Sequence, residues 1–159
     1  MAMSQRQITV IKTVVFILCL LPLARLIGFA VLDQLGANPL EFITRNTGDW
    51  TLYFLCITLA VTPVRKISGW SWLLRLRRVL GLYAFFYASL HFLTFLWFDH
   101  FFDLAEMWAD VLKRPFITVG FLGFAGLLPL ALTSTNGMIK RLGGKRWQLL
   151  HRLIYLIVP

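Results

Sequence analysis

A chain of 159 residues has the length of one domain. Hydrophobic residues make up 58% of it and charged residues only 14%, with a mean hydropathy of +0.74; soluble domains carry about 25% charged residues, so a water-soluble globule is excluded. The net charge of +9 sits in clusters between apolar blocks, which is a pattern of membrane topology rather than of a phosphate-binding groove, and nucleic acid is set aside with it.

In chain order, MAMSQRQ reads as the start of a first span and not as a cleavable leader, because the apolar run behind it is too long and no small-residue cleavage site follows. That span covers residues 8–32, roughly 25 residues and enough to cross a bilayer with some tilt. Pro22 inside it predicts a kink relieved by neighbouring helices. A second span fits residues 48–64, with Pro63 near its end. A third, rich in Phe, Tyr and Leu, covers residues 79–98, and a fourth residues 116–133. A fifth begins near Trp147 and is still apolar at Pro159. Its thirteen residues rise only ~20 Å against a hydrocarbon core of ~30 Å, so the expectation is a truncated fifth helix. The predicted fold class is all-α: one integral membrane helical bundle over residues 1–159, four complete spans plus that fifth. Cys19 and Cys56 lie in apolar blocks without CxxC or CxxCH, which reads as packed free thiols and excludes a covalently attached c-type haem.

Orientation follows from the connections. Residues 65–78 hold Arg65, Lys66, Arg75, Arg77 and Arg78, and residues 134–146 hold Lys140, Arg141, Lys145 and Arg146, with no acid in either. The alternate connections hold only Arg45, Lys113 and Arg114, together with all seven acids: Asp33, Glu41, Asp49, Asp99, Asp103, Glu106 and Asp110. The Lys/Arg bias places the N-terminus and the basic loops in the cytoplasm. Trp50, Trp70, Trp72, Trp108 and Trp147 fall near the expected interfaces, as belt residues do. Trp70 and Trp72 among basic residues suit a loop lying on the inner leaflet, either as a lipid-anchored connector or as a docking surface.

Three histidines remain to be placed. His100, beside Asp99, reads as a solvated loop residue, whereas His91 and His151 lie within apolar helices. Ionisable groups at that depth are rare and serve a pathway or a cofactor, and neutral imidazole is a standard axial ligand of haem iron. A packed, hydrogen-bonded histidine is the competing reading. His91 lies about 20 Å beyond Arg78 and His151 about 8 Å beyond Arg146 on helices that both run outward, an offset of about 12 Å. They are therefore not expected to clamp one iron together. A partner for His91 some 13 or 14 residues after His151 would fall beyond Pro159. Stepping back 14 residues from His91 reaches Arg77, which with adjacent Arg78 is a candidate contact for a haem propionate, or an unusual occupant of a ligand position. Ala84 and Ala88 share the face of His91, with Gly81 further down; they either make room for a flat macrocycle or allow close helix packing. Arg25, in the outer half of the first span, reads as snorkelling to the outer interface, with a propionate contact as the sharper option. HExxH, a close His/Cys pair and an intramembrane carboxylate are all missing, which argues against a metal cluster and weakens a proton-coupled transporter.

The segments RLRRVLGLYAFFYASLHFLTF (residues 75–95), KRPFITVGF (residues 113–121) and LALTSTNGMIKRLGGKRWQLLHRLIYL (residues 130–156) resemble the MsrQ family, formerly YedZ, and the GANP and TGDWTLYFLCITLAVTPVRK stretches fit as well. The likeness covers essentially the whole chain. It implies a six-helix, haem b membrane subunit related to ferric reductase transmembrane domains. Such a subunit partners a periplasmic molybdopterin protein, MsrP, that reduces methionine sulfoxide in envelope proteins. It implies electrons arriving from a flavin reductase or quinol, with FMN as a further cofactor. By motif, His91 and His151 match the family's haem histidines. The third, some 13 residues past His151, falls beyond the end of the chain, which leaves ligation of an outer haem incomplete. The rival classes are a haem-free transporter or channel subunit, which needs polar groups along a hydrated path, and a structural anchor for a periplasmic partner.

Overall fold

The computed structural model describes residues 3–157. The stop at Pro159, on which the expected truncation turns, lies outside the described residues. Helices and their connections account for the described residues, with no strand among them. Four helical segments are long and apolar enough to cross a membrane: Gln5–Val31, Pro39–Ser68, Ser71–Asp99 and Pro115–Leu132. These are the four complete spans expected. The chain divides into two compact units, Met1–Tyr87 and Ala88–Pro159.

In the first unit, α1 (Gln5–Val31) starts in a capping box. The Gln7 N–H donates to Ser4 Oγ at 3.2 Å, and Gln7 Oε1 accepts from the Ser4 N–H at 2.9 Å. Pro22 interrupts the ladder of this helix because it has no N–H and its ring crowds the preceding turn. The Tyr87 hydroxyl enters one residue later. It accepts from the Leu23 N–H at 3.1 Å and donates to the Cys19 carbonyl at 2.9 Å, standing between two groups that would otherwise bond each other. One turn earlier, the Tyr83 hydroxyl donates to the Phe16 carbonyl at 2.9 Å. A neighbouring helix thus supplies hydrogen bonds to the backbone beside Pro22.

Helix α2 (Pro39–Ser68) starts two turns before the apolar run. Asn38 caps it, Pro39 occupies its first turn, and Glu41 pairs with Arg45 at 3.1 Å. These polar signals lie outside what hydropathy measures. Gly69, at φ 73°, ends the helix with its N–H on the Arg65 carbonyl at 2.9 Å. Hydroxyls of Thr47, Thr51 and Thr58 bond back to the carbonyls of Ile43, Thr47 and Phe54 at 2.9, 2.9 and 2.6 Å, so the helix carries threonines without stranding polar atoms. A 3₁₀ turn, Ser71–Leu73, leads into α3 (Leu74–Thr94). Phe54 of α2 stacks on Tyr87 at 5.2 Å and leans on Tyr83 at 5.8 Å, so the same two tyrosines join all three helices of this unit. Of the two thiols, Cys19 is packed as expected; Cys56 is exposed on the apolar flank of α2.

In the second unit, α3 ends in a π-helical turn, Phe95–Asp99, and the chain reverses through Phe101 and Phe102 at φ 45° and 66°. Helix α4 (Leu104–Lys113) was not foreseen. Asp103 Oδ1 accepts from the Ala105 and Glu106 N–H groups at 2.9 and 3.0 Å, and Met107 and Val111 turn inward. Helix α5 (Pro115–Leu132) follows, starting with proline in its first turn. Phe92 stacks on Phe124 at 4.8 Å and Phe121 meets Trp108 at 5.5 Å, an aromatic seam joining α3, α4 and α5. Beyond Thr133 come α6 (Asn136–Leu142), α7 (Gly144–His151) and α8 (Ile154–Ile157). The expected fifth helix therefore begins three residues before Trp147. It tightens after His151, where Leu153, Tyr155 and Leu156 donate to carbonyls three residues back. At Gly126 of α5 an added Cβ would lie 2.8 Å from Ile157 Cδ1 and 2.9 Å from its Cγ1.

Two outcomes follow. Tyr87→Phe should lower stability in detergent by about 0.6–2 kcal/mol, the range of hydrogen bonds inside membrane proteins. It should cost less in a Pro22→Ala background, where α1 can close its own ladder; additive losses in thermal unfolding would refute the bridging role. Gly126→Ala should be absorbed by rotation of Ile157, whereas Gly126→Leu should cost about 1–3 kcal/mol through overpacking.

Candidate functional site

His151 closes α7 with its ring half-buried. Three contacts define its setting. Its Nε2 lies 3.2 Å from Thr133 Oγ1 at the end of α5. Its ring stacks on Trp147, one helical turn earlier, with centroids 4.0 Å apart. The Trp147 indole N–H donates to the Thr133 carbonyl at 2.9 Å. The Thr133 hydroxyl also reaches the Pro129 carbonyl at 2.6 Å, which pins it in the last turn of α5. Residues 14 and 18 positions apart in sequence thus form one polar cluster around an imidazole. Thr133 and its bond to Trp147 had no signal in hydropathy. Trp147, read as a belt residue, is half-buried and engaged with Thr133 and His151.

His91 lies on α3, half-buried, and its carbonyl accepts from the Thr94 hydroxyl at 2.7 Å. Ala84 is fully buried and Ala88 only 6% exposed. Both are packed against their surroundings, as close helix packing requires. Arg77, half-buried, donates from Nη1 to Thr62 Oγ1 of α2 at 3.4 Å, and Arg78 is exposed. Arg25 lies with its guanidinium carbon 4.9 Å from the centre of the Phe29 ring, one turn nearer the end of α1.

His100 departs from expectation. It is 5% exposed rather than solvated, held edge-on against Phe95 at 4.6 Å, with Nε2 3.7 Å from Asp110 Oδ2. Asp110 is itself paired with Arg114 at 3.2 Å. The unforeseen α4 carries Asp110 and covers the histidine, which is why adjacency to Asp99 misled. Aspartate three residues before glutamate (Asp103, Glu106) was the legible signal of a helix start there.

The arrangement offers two half-buried imidazoles, His91 on the spanning helix α3 and His151 at the end of the short α7. No group of three or more His, Cys, Asp or Glu residues able to hold a bare metal ion occurs among the described residues.

Comparison with known proteins accords with this chemistry. Residues 47–159 match the model of the ferric reductase like transmembrane component family. A protein-methionine-sulfoxide reductase heme-binding subunit MsrQ from Herminiimonas arsenicoxydans is 71% identical over 154 residues, covering 97% of this chain and 71% of that protein. Proteins of the same name from Ralstonia nicotianae and Polaromonas naphthalenivorans are 55% and 58% identical, covering 95% and 92% of this chain and 70% and 67% of theirs. No solved structure matches the chain significantly. A family model that runs through three of the four spans, with relatives this similar along almost the entire sequence, leaves one assignment: the chain belongs to the MsrQ family, within the ferric reductase like transmembrane components.

Proposed function

We propose that this chain binds haem b through His91 and His151 and carries electrons across the bacterial inner membrane as the membrane subunit of a protein-methionine-sulfoxide reductase. The observation that carries the reading is the setting of His151, a half-buried imidazole at the end of α7, oriented by Thr133 and Trp147. Such outer contacts are what fix a ligating histidine's ring plane and tautomer. His91 supplies a second imidazole on α3. Arg77 uses one of its five guanidinium donors on Thr62 and has others for a propionate, with exposed Arg78 beside it. Haem, when bound, supplies a one-electron couple whose potential is set by axial ligands and burial. The chain's own part is to hold the imidazoles in place and to exclude water with apolar spans. The family match runs across the boundary at Tyr87 and Ala88, which supports reading residues 1–159 as one membrane domain.

The Lys/Arg asymmetry of the connections supports a cytoplasmic N-terminus and cytoplasmic basic loops. On that topology electrons enter from a flavin reductase or from quinol, with FMN as a further carrier, and leave to a periplasmic molybdopterin partner, MsrP. Reduction of methionine sulfoxide takes place on that partner, restoring an apolar side chain.

Membranes containing the full-length protein, made with ample haem, should show a Soret band and, with dithionite, a b-type α band. Replacing either His91 or His151 with Ala should lower haem-to-protein stoichiometry by at least one ligand site's worth while the chain still inserts. Unchanged spectra in both variants would refute their assignment, and a colourless wild-type protein would favour the channel or anchor reading.

A further inference from the structure

A groove of about 530 Å³ lies within the first unit, walled by α1 and α2 with Leu80 of α3 at its floor. That volume is within the range of about 300–1,000 Å³ typical of small-molecule sites. On α1 it runs from Val15 to Arg25, ten residues or ~15 Å of helix, half the ~30 Å hydrocarbon core. Leu18, Leu21 and Ile57 line it and are exposed, so it opens sideways, toward the lipid. Trp50 stands at the same end as Arg25, the end nearest the connection between α1 and α2.

Arg25 is the one charged residue of this lining. Among the described residues it faces no carboxylate and makes no hydrogen bond; its guanidinium lies over Phe29, toward the connection. A cation on an apolar helix flank is costly unless an anion meets it. A groove one leaflet long, apolar throughout and ending in a single unpaired guanidinium, matches an amphiphile with a long hydrocarbon tail and an anionic head. A neutral quinone head would leave the charge unmet. We propose that this groove binds one anionic phospholipid, its phosphate on Arg25 and an acyl chain lying along α1 toward Val15. On the topology proposed above, the lipid belongs to the outer leaflet. Guanidinium suits phosphate because its planar fork donates paired hydrogen bonds to two phosphate oxygens.

The test uses the full chain, delipidated in detergent and titrated with phosphatidylglycerol or phosphatidylcholine carrying brominated acyl chains, which quench tryptophan on contact. Wild-type protein should bind the phosphatidylglycerol about tenfold more tightly than the phosphatidylcholine, as one charge-assisted hydrogen-bonded contact implies. Quenching should fall in Trp50→Phe, locating the lipid in the groove. Arg25→Gln should abolish the preference and Arg25→Lys should retain most of it. Equal binding of the two lipids by wild type would overturn the proposal, as would a preference that survives Arg25→Gln. So would stoichiometric quinone in the lipid extract, or a dimer of the chain that phosphatidylglycerol fails to dissociate.

Discussion

Inside a bilayer no water is at hand to satisfy a backbone group that a helix releases, and this constraint governs the whole structure. Pro22 withholds an N–H from the ladder of a spanning helix, and one residue on, a phenolic hydroxyl, that of Tyr87, stands between the Cys19 carbonyl and the Leu23 N–H. The repair also joins helices. Because hydrocarbon offers apolar side chains the same environment on either side, burial alone provides little drive for helix association, and packing and interhelical bonds take its place. Tyr83 and Tyr87, one turn apart and flanked by Phe54, serve both purposes in the first unit.

The same economy appears in the second unit. Thr133 uses its hydroxyl on the Pro129 carbonyl and on His151, and its carbonyl on Trp147, so a terminal turn, an indole and an imidazole are satisfied together. An imidazole held this way has a defined plane and a defined neighbour at Nε2. A side chain merely tolerated in a span would have neither.

The spans were legible because length and hydropathy are what a bilayer selects, and residues 8–32 and 116–133 fell within a few residues of α1 and α5. The polar opening of α2 and the amphipathic α4 escaped, since their start signals are caps and first-turn charges that an apolar run does not report. Pro22 announced a kink, but which hydroxyl would answer it depends on the register of α3 against α1, information carried by packing. The depth of His151 could be counted from Arg146. Its partners could not, because Thr133 lies across a turn whose geometry the adjacent glycines Gly143 and Gly144 help to set. The contrast between His100 and His151 is instructive: both looked simple to place, and each owes its surroundings to a helix arriving from elsewhere in the chain.

The bond from Trp147 to the Thr133 carbonyl makes the basic hairpin between them a measured length of chain. Thirteen residues must leave α5, turn through α6, reverse at Gly143 with φ 76° and return the indole to its acceptor. Lysines and arginines along that path can be exchanged without altering its reach, but adding or deleting a residue would rotate α7 by about 100° and carry the imidazole off its face. In this hairpin, residue number is a structural parameter in its own right, independent of residue type.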